Sequence, residues 1–237
     1  MTAADLKVKL FADGADLAAM IGLAANPLIK GFTTNPTLMR GAGVADYEAF
    51  AKAVLERITD LPISFEVFAD DAEGMERQAR LIAGWGDNVY VKVPVTNTAG
   101  EPTTETVRRL AGDGVRVNVT ALLLPEQVRE VSAALGDGAP SFISVFAGRI
   151  ADTGRDPLPV ICESLAIMAA HPNQELIWAS PRELLNVVQA DAAGCHVITV
   201  TSDLLRKLEL LDRDLREYSL ATVRMFYDDA AAAGYDL

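Results

Sequence analysis

The chain has 237 residues, half of them hydrophobic, with a mean hydropathy of +0.19 and a formal net charge of −12. This acidic balance argues against nucleic acid and anionic membranes as general partners. No apolar stretch reaches the roughly 18 residues of a membrane span, and the first residues lack a basic region followed by an apolar one. We therefore expect a cytoplasmic protein. Its two cysteines show no paired metal-ligand spacing.

Short β-like runs alternate with helical patterns along the chain. The helical stretches carry apolar residues at three- and four-residue spacing and have Gly, Pro, Asn or Asp near their ends. The predicted strands are Val8–Phe11, Gly31–Thr34, Ile63–Val67, Val89–Val93, Val115–Val119, Phe142–Val145, Leu176–Ala179 and His196–Val200. The predicted helices between them are Leu17–Ala25, Tyr47–Ile58, Ala72–Ala83, Thr103–Ala111, Pro125–Leu135, Leu158–Ala170 and Pro181–Gln189.

About eight βα units predict an α/β protein with the (β/α)8 TIM-barrel fold, and α/β barrels of this length commonly form one domain, here residues 1–237. The alternative is an open doubly wound sheet, which usually has a Gly-rich phosphate turn after an early strand. No such turn follows Phe11 or Thr34. A last amphipathic segment, about Asp214 to Ala233 within a helical extension at 212–237, could cap the barrel or dock on a neighbouring subunit. We expect a homo-oligomer.

A lysine stands in the middle of the fourth strand. Lys92 is surrounded by the Val-rich run 88–96, which is typical of a parallel strand covered on both faces. Burial disfavours an ammonium relative to the neutral amine, and a neutral amine can attack a carbonyl to form a Schiff base. The alternative is a side chain that extends from the strand end to water.

Polar side chains collect at the predicted carboxyl ends of the strands, where TIM barrels carry their chemistry. Taken singly, Asp13 and Ser180 could be helix N-caps and Asn35 could belong to a turn. Taken together, they favour one catalytic pocket. The candidates are Asp13, Thr34, Asn35, Glu66, Lys92, Asn118, Thr120, Ser144, Phe146, Arg149, Ser180 and Arg182.

Several motifs give the chain a resemblance to a known family. They are the segments at 7–13 (KVKLFAD), 31–37 (GFTTNPT), 92–96 (KVPVT), 118–120 (NVT), 146–150 (FAGRI) and 179–182 (ASPR). In this order they resemble the successive motifs of the transaldolase family, over nearly the whole chain. The Thr-Thr-Asn-Pro and Lys-Val-Pro motifs are specific in combination, whereas either alone is weak.

The resemblance implies a (β/α)8 barrel and class I aldolase chemistry without a metal or cofactor. Lys92 would form the Schiff base with a ketose donor, and Asp13 would transfer the proton at the cleaved carbon–carbon bond. Glu66 and Thr120 would hold a catalytic water. The resemblance also implies substrate-binding roles. Asn35, with Thr34 beside it, and Asn118 would bind donor hydroxyls, and Ser144 would lie beside the Schiff base. Arg149, Ser180 and Arg182 would bind the phosphate, close to Phe146.

The function that the resemblance implies is a transaldolase of the pentose phosphate pathway, which moves dihydroxyacetone between sugar phosphates. A fructose-6-phosphate aldolase-like enzyme would instead release dihydroxyacetone. In that branch the position of Glu66 looks like Gln and the position of Phe146 looks like Tyr, whereas this chain has the transaldolase form at both. Two further alternatives stay open at this point. The ketose could carry a sulfonate in place of phosphate, because the arginine set would hold either anion. A catalytically silent binding barrel is the non-enzymatic alternative, and it should have lost Lys92 or an acid partner.

Overall fold

The eight strands close into one parallel barrel, in which each strand pairs with the next and β8 pairs with β1. The computed structural model describes residues 2–236. The strands are β1 (Lys9–Asp13), β2 (Ile29–Thr33), β3 (Ile63–Glu66), β4 (Val89–Pro94), β5 (Val117–Leu122), β6 (Ser141–Val145), β7 (Gln174–Trp178) and β8 (Val197–Val200). The predicted barrel and its C-terminal helix are confirmed.

Helices alternate with the strands and cover the barrel. They are α1 (Leu17–Ala24), α2 (Pro36–Gly41), α3 (Tyr47–Leu55), α4 (Ala72–Ala83), α5 (Thr104–Gly112), α6 (Pro125–Leu135), α7 (Ala147–Asp152), α8 (Leu158–Met168), α9 (Leu184–Ala192), α10 (Ser202–Lys207) and α11 (Leu215–Ala233). Strands such as β4 and β8 are buried along most of their length, which explains why their sequences are continuous apolar runs rather than alternating ones.

Three of these helices, α2, α7 and α10, have six residues each and were not predicted. The predicted helix Pro181–Gln189 was wrong at its start, because α9 begins at Leu184. The side-chain oxygen of Asn186 accepts the backbone N–H groups of Arg182 and Glu183, which holds this segment as a loop before the helix. Pro181 therefore precedes the helix instead of opening it.

The C-terminal helix α11 differs from the others because none of its residues is buried. Leu215, Val223 and Phe226 are between 60% and 79% exposed, so the helix presents large apolar side chains to solvent in the monomer. The predicted extension ran to residue 237, and this last residue lies outside the described residues. Among residues 2–236, no helix combines the length and apolar character needed to cross a membrane.

Candidate active site

Lys92 is buried inside the barrel, with 6% of the residue exposed. Its Nζ donates a hydrogen bond to the backbone oxygen of Thr34 at 2.9 Å and lies 3.2 Å from Oε2 of Glu66. The alternative interpretation, a lysine that reaches out to water, is therefore wrong. Glu66 ends β3 and Lys92 lies directly across from it on β4, so strand register places the two side chains together.

Asp13 ends β1, which pairs with β2 and places Asp13 opposite Thr33. Its Oδ1 accepts a hydrogen bond from Oγ1 of Thr33 at 2.9 Å. Burial raises the pKa of Asp13 above its ordinary value, and the positive charge of Lys92 and the Thr33 hydrogen bond oppose this only in part. The carboxyl group of Asp13 can therefore hold a proton more readily than an exposed aspartate. Asp16, not Asp13, caps α1, where its side chain accepts the N–H of Ala19.

A buried polar network continues the site around the barrel. Asn118 Nδ2 donates to Ser64 Oγ at 3.0 Å, and Ser144 Oγ donates to Asn118 Oδ1 at 2.8 Å. The hydroxyl of Thr34 donates to the backbone oxygen of Ser64 at 2.8 Å. The network fixes the Asn118 amide with its nitrogen toward β3. We call Asp13, Thr34, Glu66, Lys92, Asn118 and Ser144 the lysine cluster.

Thr120 lies two residues after Asn118 on β5. It is 2% exposed, and its hydroxyl has no hydrogen-bond partner within residues 2–236. A buried hydroxyl without a partner is costly, so this oxygen is suited to meet a water or a ligand group. The next residue, Ala121, has φ of 67°, a left-handed conformation that residues other than Gly rarely adopt. The backbone is thus strained at this strand end.

Asn35 was considered as either a turn residue or a ligand for substrate hydroxyls. Its side-chain oxygen caps α2 by accepting the N–H of Leu38 at 2.9 Å, and Pro36 occupies the first helical position. The amide oxygen is therefore engaged in structure, while its NH₂ group can still donate.

A second group of residues, at the ends of β6 and β7, is more exposed. The guanidinium of Arg149 lies 5.7 Å from the centre of the Phe146 ring. Arg182 donates from Nε to Oδ1 of Asp152 at 2.9 Å and from its NH2 nitrogen to Oδ2, which makes a two-point ion pair. This pairing lowers the pKa of Asp152 and raises that of Arg182, so both remain charged. We call Phe146, Arg149, Asp152, Ser180 and Arg182 the arginine cluster.

Gly148 explains how α7 and the end of β7 approach each other so closely. A Cβ atom at this position would lie 1.5 Å from the backbone oxygen of Ser180, so only glycine fits. Ser180 itself has φ of 62° and accepts a hydrogen bond from Arg182 NH1 at 3.4 Å. The prediction that Ser180 could be the N-cap of the next helix is wrong, because Glu183 takes that place. Backbone strain of this kind clusters at functional sites, which agrees with the predicted role of Ser180 in substrate binding.

Comparison with known proteins shows the family of the chain. The sequence profile described as "Transaldolase/Fructose-6-phosphate aldolase" matches residues 10–236. The chain belongs to this family.

Curated relatives within the transaldolase/fructose-6-phosphate aldolase family have similar length. A "probable transaldolase" of Rhodospirillum centenum is 37% identical over 219 residues, which cover 89% of each chain. One from Methanococcus maripaludis strain C5 is 34% identical over 202 residues, or 85% of this chain and 89% of the relative. A solved structure of a mandelate oxidase, 18% identical, superposes with a TM-score of 0.55 over 88% of this chain and 73% of its own. That likeness shows the shared fold alone.

Four residues at the site of this family member were not among the predicted ones: Thr33, Tyr47, Ser64 and Asp152. Ser64 could have been found, because it lies two positions before Glu66 and side chains alternate along a strand. Asp152 lies three positions after Arg149, one helical turn away. Thr33 stands in the motif at 31–37, beside the candidates Thr34 and Asn35. Tyr47 gave no signal in the sequence, because its partner Glu66 comes from a distant segment.

Proposed function

We propose that the chain is a transaldolase, which transfers a dihydroxyacetone unit from a ketose phosphate to an aldose phosphate through a Schiff base on Lys92. The observation that carries this proposal is the buried Lys92 ammonium, 3.2 Å from Glu66 and coupled electrostatically to Asp13. A buried lysine with two acidic neighbours has both the amine and the proton acceptors that Schiff-base chemistry needs.

The first step is formation of the iminium. Lys92 must give up a proton before its Nζ can attack the ketose carbonyl, and the nearest carboxylate oxygen, on Glu66, can receive it. Nucleophilic attack gives a carbinolamine, which loses its oxygen as water. The free Thr120 hydroxyl on the neighbouring strand is suited to hold that water together with Glu66.

The second step breaks a carbon–carbon bond. Asp13 takes the proton of the hydroxyl on the far carbon of the breaking bond, and that carbon leaves as the aldehyde of the aldose phosphate. The electron pair of the broken bond moves toward the iminium to give an enamine. The raised pKa of Asp13 suits it to keep this proton until the acceptor aldehyde arrives and takes it back. Attack of the enamine on the acceptor, followed by hydrolysis, returns free Lys92.

The arginine cluster would bind the phosphate. Arg149 offers charge-assisted, fork-shaped donors. Arg182 holds Asp152 with Nε and NH2 and offers its NH1 nitrogen, beside the Ser180 hydroxyl. A sulfonate presents similar oxygens, so a sulfonated ketose is an alternative donor.

Release of free dihydroxyacetone is the second candidate activity. Phe146 and Glu66 favour transfer, because a phenylalanine offers no hydroxyl near the iminium that could deliver a proton to the enamine carbon. The enamine should therefore persist until an aldehyde arrives.

The proposal is tested by trapping the iminium. Incubation with fructose 6-phosphate and borohydride should leave a stable adduct on Lys92, identified by intact-mass and peptide mass spectrometry. The Lys92→Met variant should give none. Lys9→Met is the matched control, because Lys9 lies on a strand but pairs with Glu175 and is half exposed. It should label like wild type. An adduct on another lysine, or none with any ketose phosphate, would disprove the mechanism.

A further inference from the structure

The backbone ladder between β2 and β3 stops beside Glu66. Phe32 donates its N–H to the Pro62 oxygen at 2.8 Å, and Thr34 donates to the Ser64 oxygen at 3.2 Å. In a regular parallel ladder the next two bonds would join the Glu66 N–H to the Thr34 oxygen and the N–H of residue 36 to the Glu66 oxygen. Neither bond forms.

Two features of the site account for the interruption. Residue 36 is proline, which has no N–H to donate, and it opens α2. The oxygen of Thr34, the ladder acceptor for Glu66, accepts Nζ of Lys92 instead. The N–H and C=O of Glu66 on this edge therefore need another partner, because unpaired buried backbone groups are costly.

The hydroxyl of Tyr47 supplies that partner. It accepts the N–H of Glu66 at 2.6 Å and donates to the backbone oxygen of the same residue at 3.1 Å. A phenol has one donor and can accept as well, so one side chain satisfies both groups. Tyr47 thus replaces β2 as the neighbour of Glu66 in the sheet.

The Tyr47 ring is held in place by other aromatic side chains. It packs edge-on against Phe65 and Phe68, with ring centres 6.2 Å and 4.6 Å away, and at an angle against Trp85 at 5.8 Å. Burial raises the pKa of Tyr47 well above its ordinary value, so the hydroxyl keeps the proton that it donates. The hydroxyl therefore has a fixed position and a fixed role.

We propose that Tyr47 is a positioning residue for the reaction. Its hydroxyl fixes the backbone of Glu66 so that the carboxylate stays at Lys92, and it leaves the Thr34 oxygen free to orient Nζ. This inference rests on the proposed function, because it takes Glu66 and Lys92 as the reacting groups. The hydroxyl of Tyr47 bonds to the Glu66 backbone and its ring packs among other aromatic side chains, so we expect no contact between Tyr47 and the substrate.

The Tyr47→Phe variant removes the hydroxyl and keeps the ring. The Glu66 N–H then becomes free to compete with Nζ for the Thr34 oxygen, and the carboxylate loses its fixed position. Misplacement of a reacting group by about 1 Å can cost on the order of 100-fold in rate. We expect kcat to fall about 10- to 100-fold, with the KM for the donor changed less than about three-fold, because the arginine cluster is untouched.

A second readout reports the hydrogen bond directly. Amide hydrogen exchange, resolved to single residues by peptide fragmentation, should speed up at Glu66 in Tyr47→Phe. The amide of Val67 donates to the Lys92 oxygen on the other edge of β3 and should exchange as in wild type. Trp85→Phe is the matched control. It weakens packing on the same ring but leaves the hydroxyl, so it should lower stability without changing kcat or the Glu66 amide.

Two outcomes would overturn the inference. One is an unchanged kcat together with unchanged Glu66 exchange in Tyr47→Phe. The other is an equal loss of kcat in Tyr47→Phe and Trp85→Phe at equal stability. Failure of the proposed function is a separate result, because it would appear as a wild-type protein that gives no Lys92 adduct. The Glu66 amide would still report whether Tyr47 holds that backbone.

Discussion

The lysine cluster and the arginine cluster are held in different ways. Lys92, Thr34 and Asn118 are buried, and their positions depend on strand register and on backbone groups of the barrel. Arg149 and Arg182 are exposed. Arg149 lies in α7 beside the Phe146 ring, and Arg182 lies in the loop before α9, where the Asp152 carboxylate orients it. Changes in the first cluster should therefore affect chemistry and stability together, whereas changes in the second should affect substrate binding alone.

The largest effect is expected at Asp13. Asp13→Asn removes the proposed proton-transfer group, so transfer activity should fall about 100- to 10,000-fold. The same substitution should make the protein more stable relative to wild type as the pH rises. The folded-state pKa of Asp13 is raised above the unfolded value of about 3.9, so between these values the folded state binds more protons and loses stability as pH rises. The variant cannot ionise and should lack this loss.

Urea unfolding between about pH 4 and pH 8 measures the difference. The gap in unfolding free energy between variant and wild type should change in favour of the variant as pH rises through this window. Asp16→Asn is the control, because this nearby acid caps α1 and asparagine caps equally well. Parallel curves for wild type and Asp13→Asn would contradict the assignment of a buried, costly carboxylate.

A smaller and more selective effect is expected in the arginine cluster. Arg182→Gln removes a charged donor and leaves Asp152 unpaired beside the proposed phosphate position. Loss of a charge-assisted hydrogen bond costs about 1.5–3 kcal/mol, so KM for a phosphorylated donor should rise about 10- to 150-fold. Borohydride trapping of unphosphorylated dihydroxyacetone on Lys92 should change little.

The double variant Arg182→Gln/Asp152→Asn sharpens this test. It removes the carboxylate that would repel the phosphate, so part of the lost affinity should return. Equal losses for phosphorylated and unphosphorylated ligands, in either variant, would mean that the anion binds elsewhere.

The smallest effect is expected at the boundary between the clusters. Phe146→Tyr adds a hydroxyl near the proposed enamine and should raise free dihydroxyacetone a few-fold at the expense of transfer. The assay uses fructose 6-phosphate with and without erythrose 4-phosphate and measures dihydroxyacetone and sedoheptulose 7-phosphate. A wild-type protein that releases dihydroxyacetone without acceptor as fast as it forms product with acceptor would be an aldolase instead.

The barrel was predictable from sequence because each buried strand leaves a continuous apolar run between longer helical patterns. The position of Lys92 followed from the same pattern, since its strand is Val-rich on both sides. The short helices α2 and α10 were missed because six residues give too little periodicity, although each has an N-cap, Asn35 and Thr201.

The contacts of the site were less predictable than its members. Lys92 bonds to the backbone oxygen of Thr34, which no side-chain pattern reveals, and that oxygen is available because the Glu66 N–H pairs with the Tyr47 hydroxyl instead. Tyr47 opens a helix 19 residues before Glu66 and would be taken for a packing residue. The pairing of Arg182 with Asp152 depends on how α7 meets the end of β7, which Gly148 permits.

The pairing of β2 with β3, which stops before Pro36, is one of two short strand pairings in the barrel. Two pairings of neighbouring strands are short: β2 with β3 and β7 with β8 are each joined through two residue pairs. Every other pair of neighbouring strands is joined through three to five. These two short pairings divide the barrel into two arcs. The arc of three strands, β8, β1 and β2, carries Asp13 and leads into Thr34, and the arc of five strands, β3 to β7, carries Glu66 and Lys92. We expect the arcs to open and close as separate cooperative units. When the two arcs dock during folding, the same step would bring the reacting groups together.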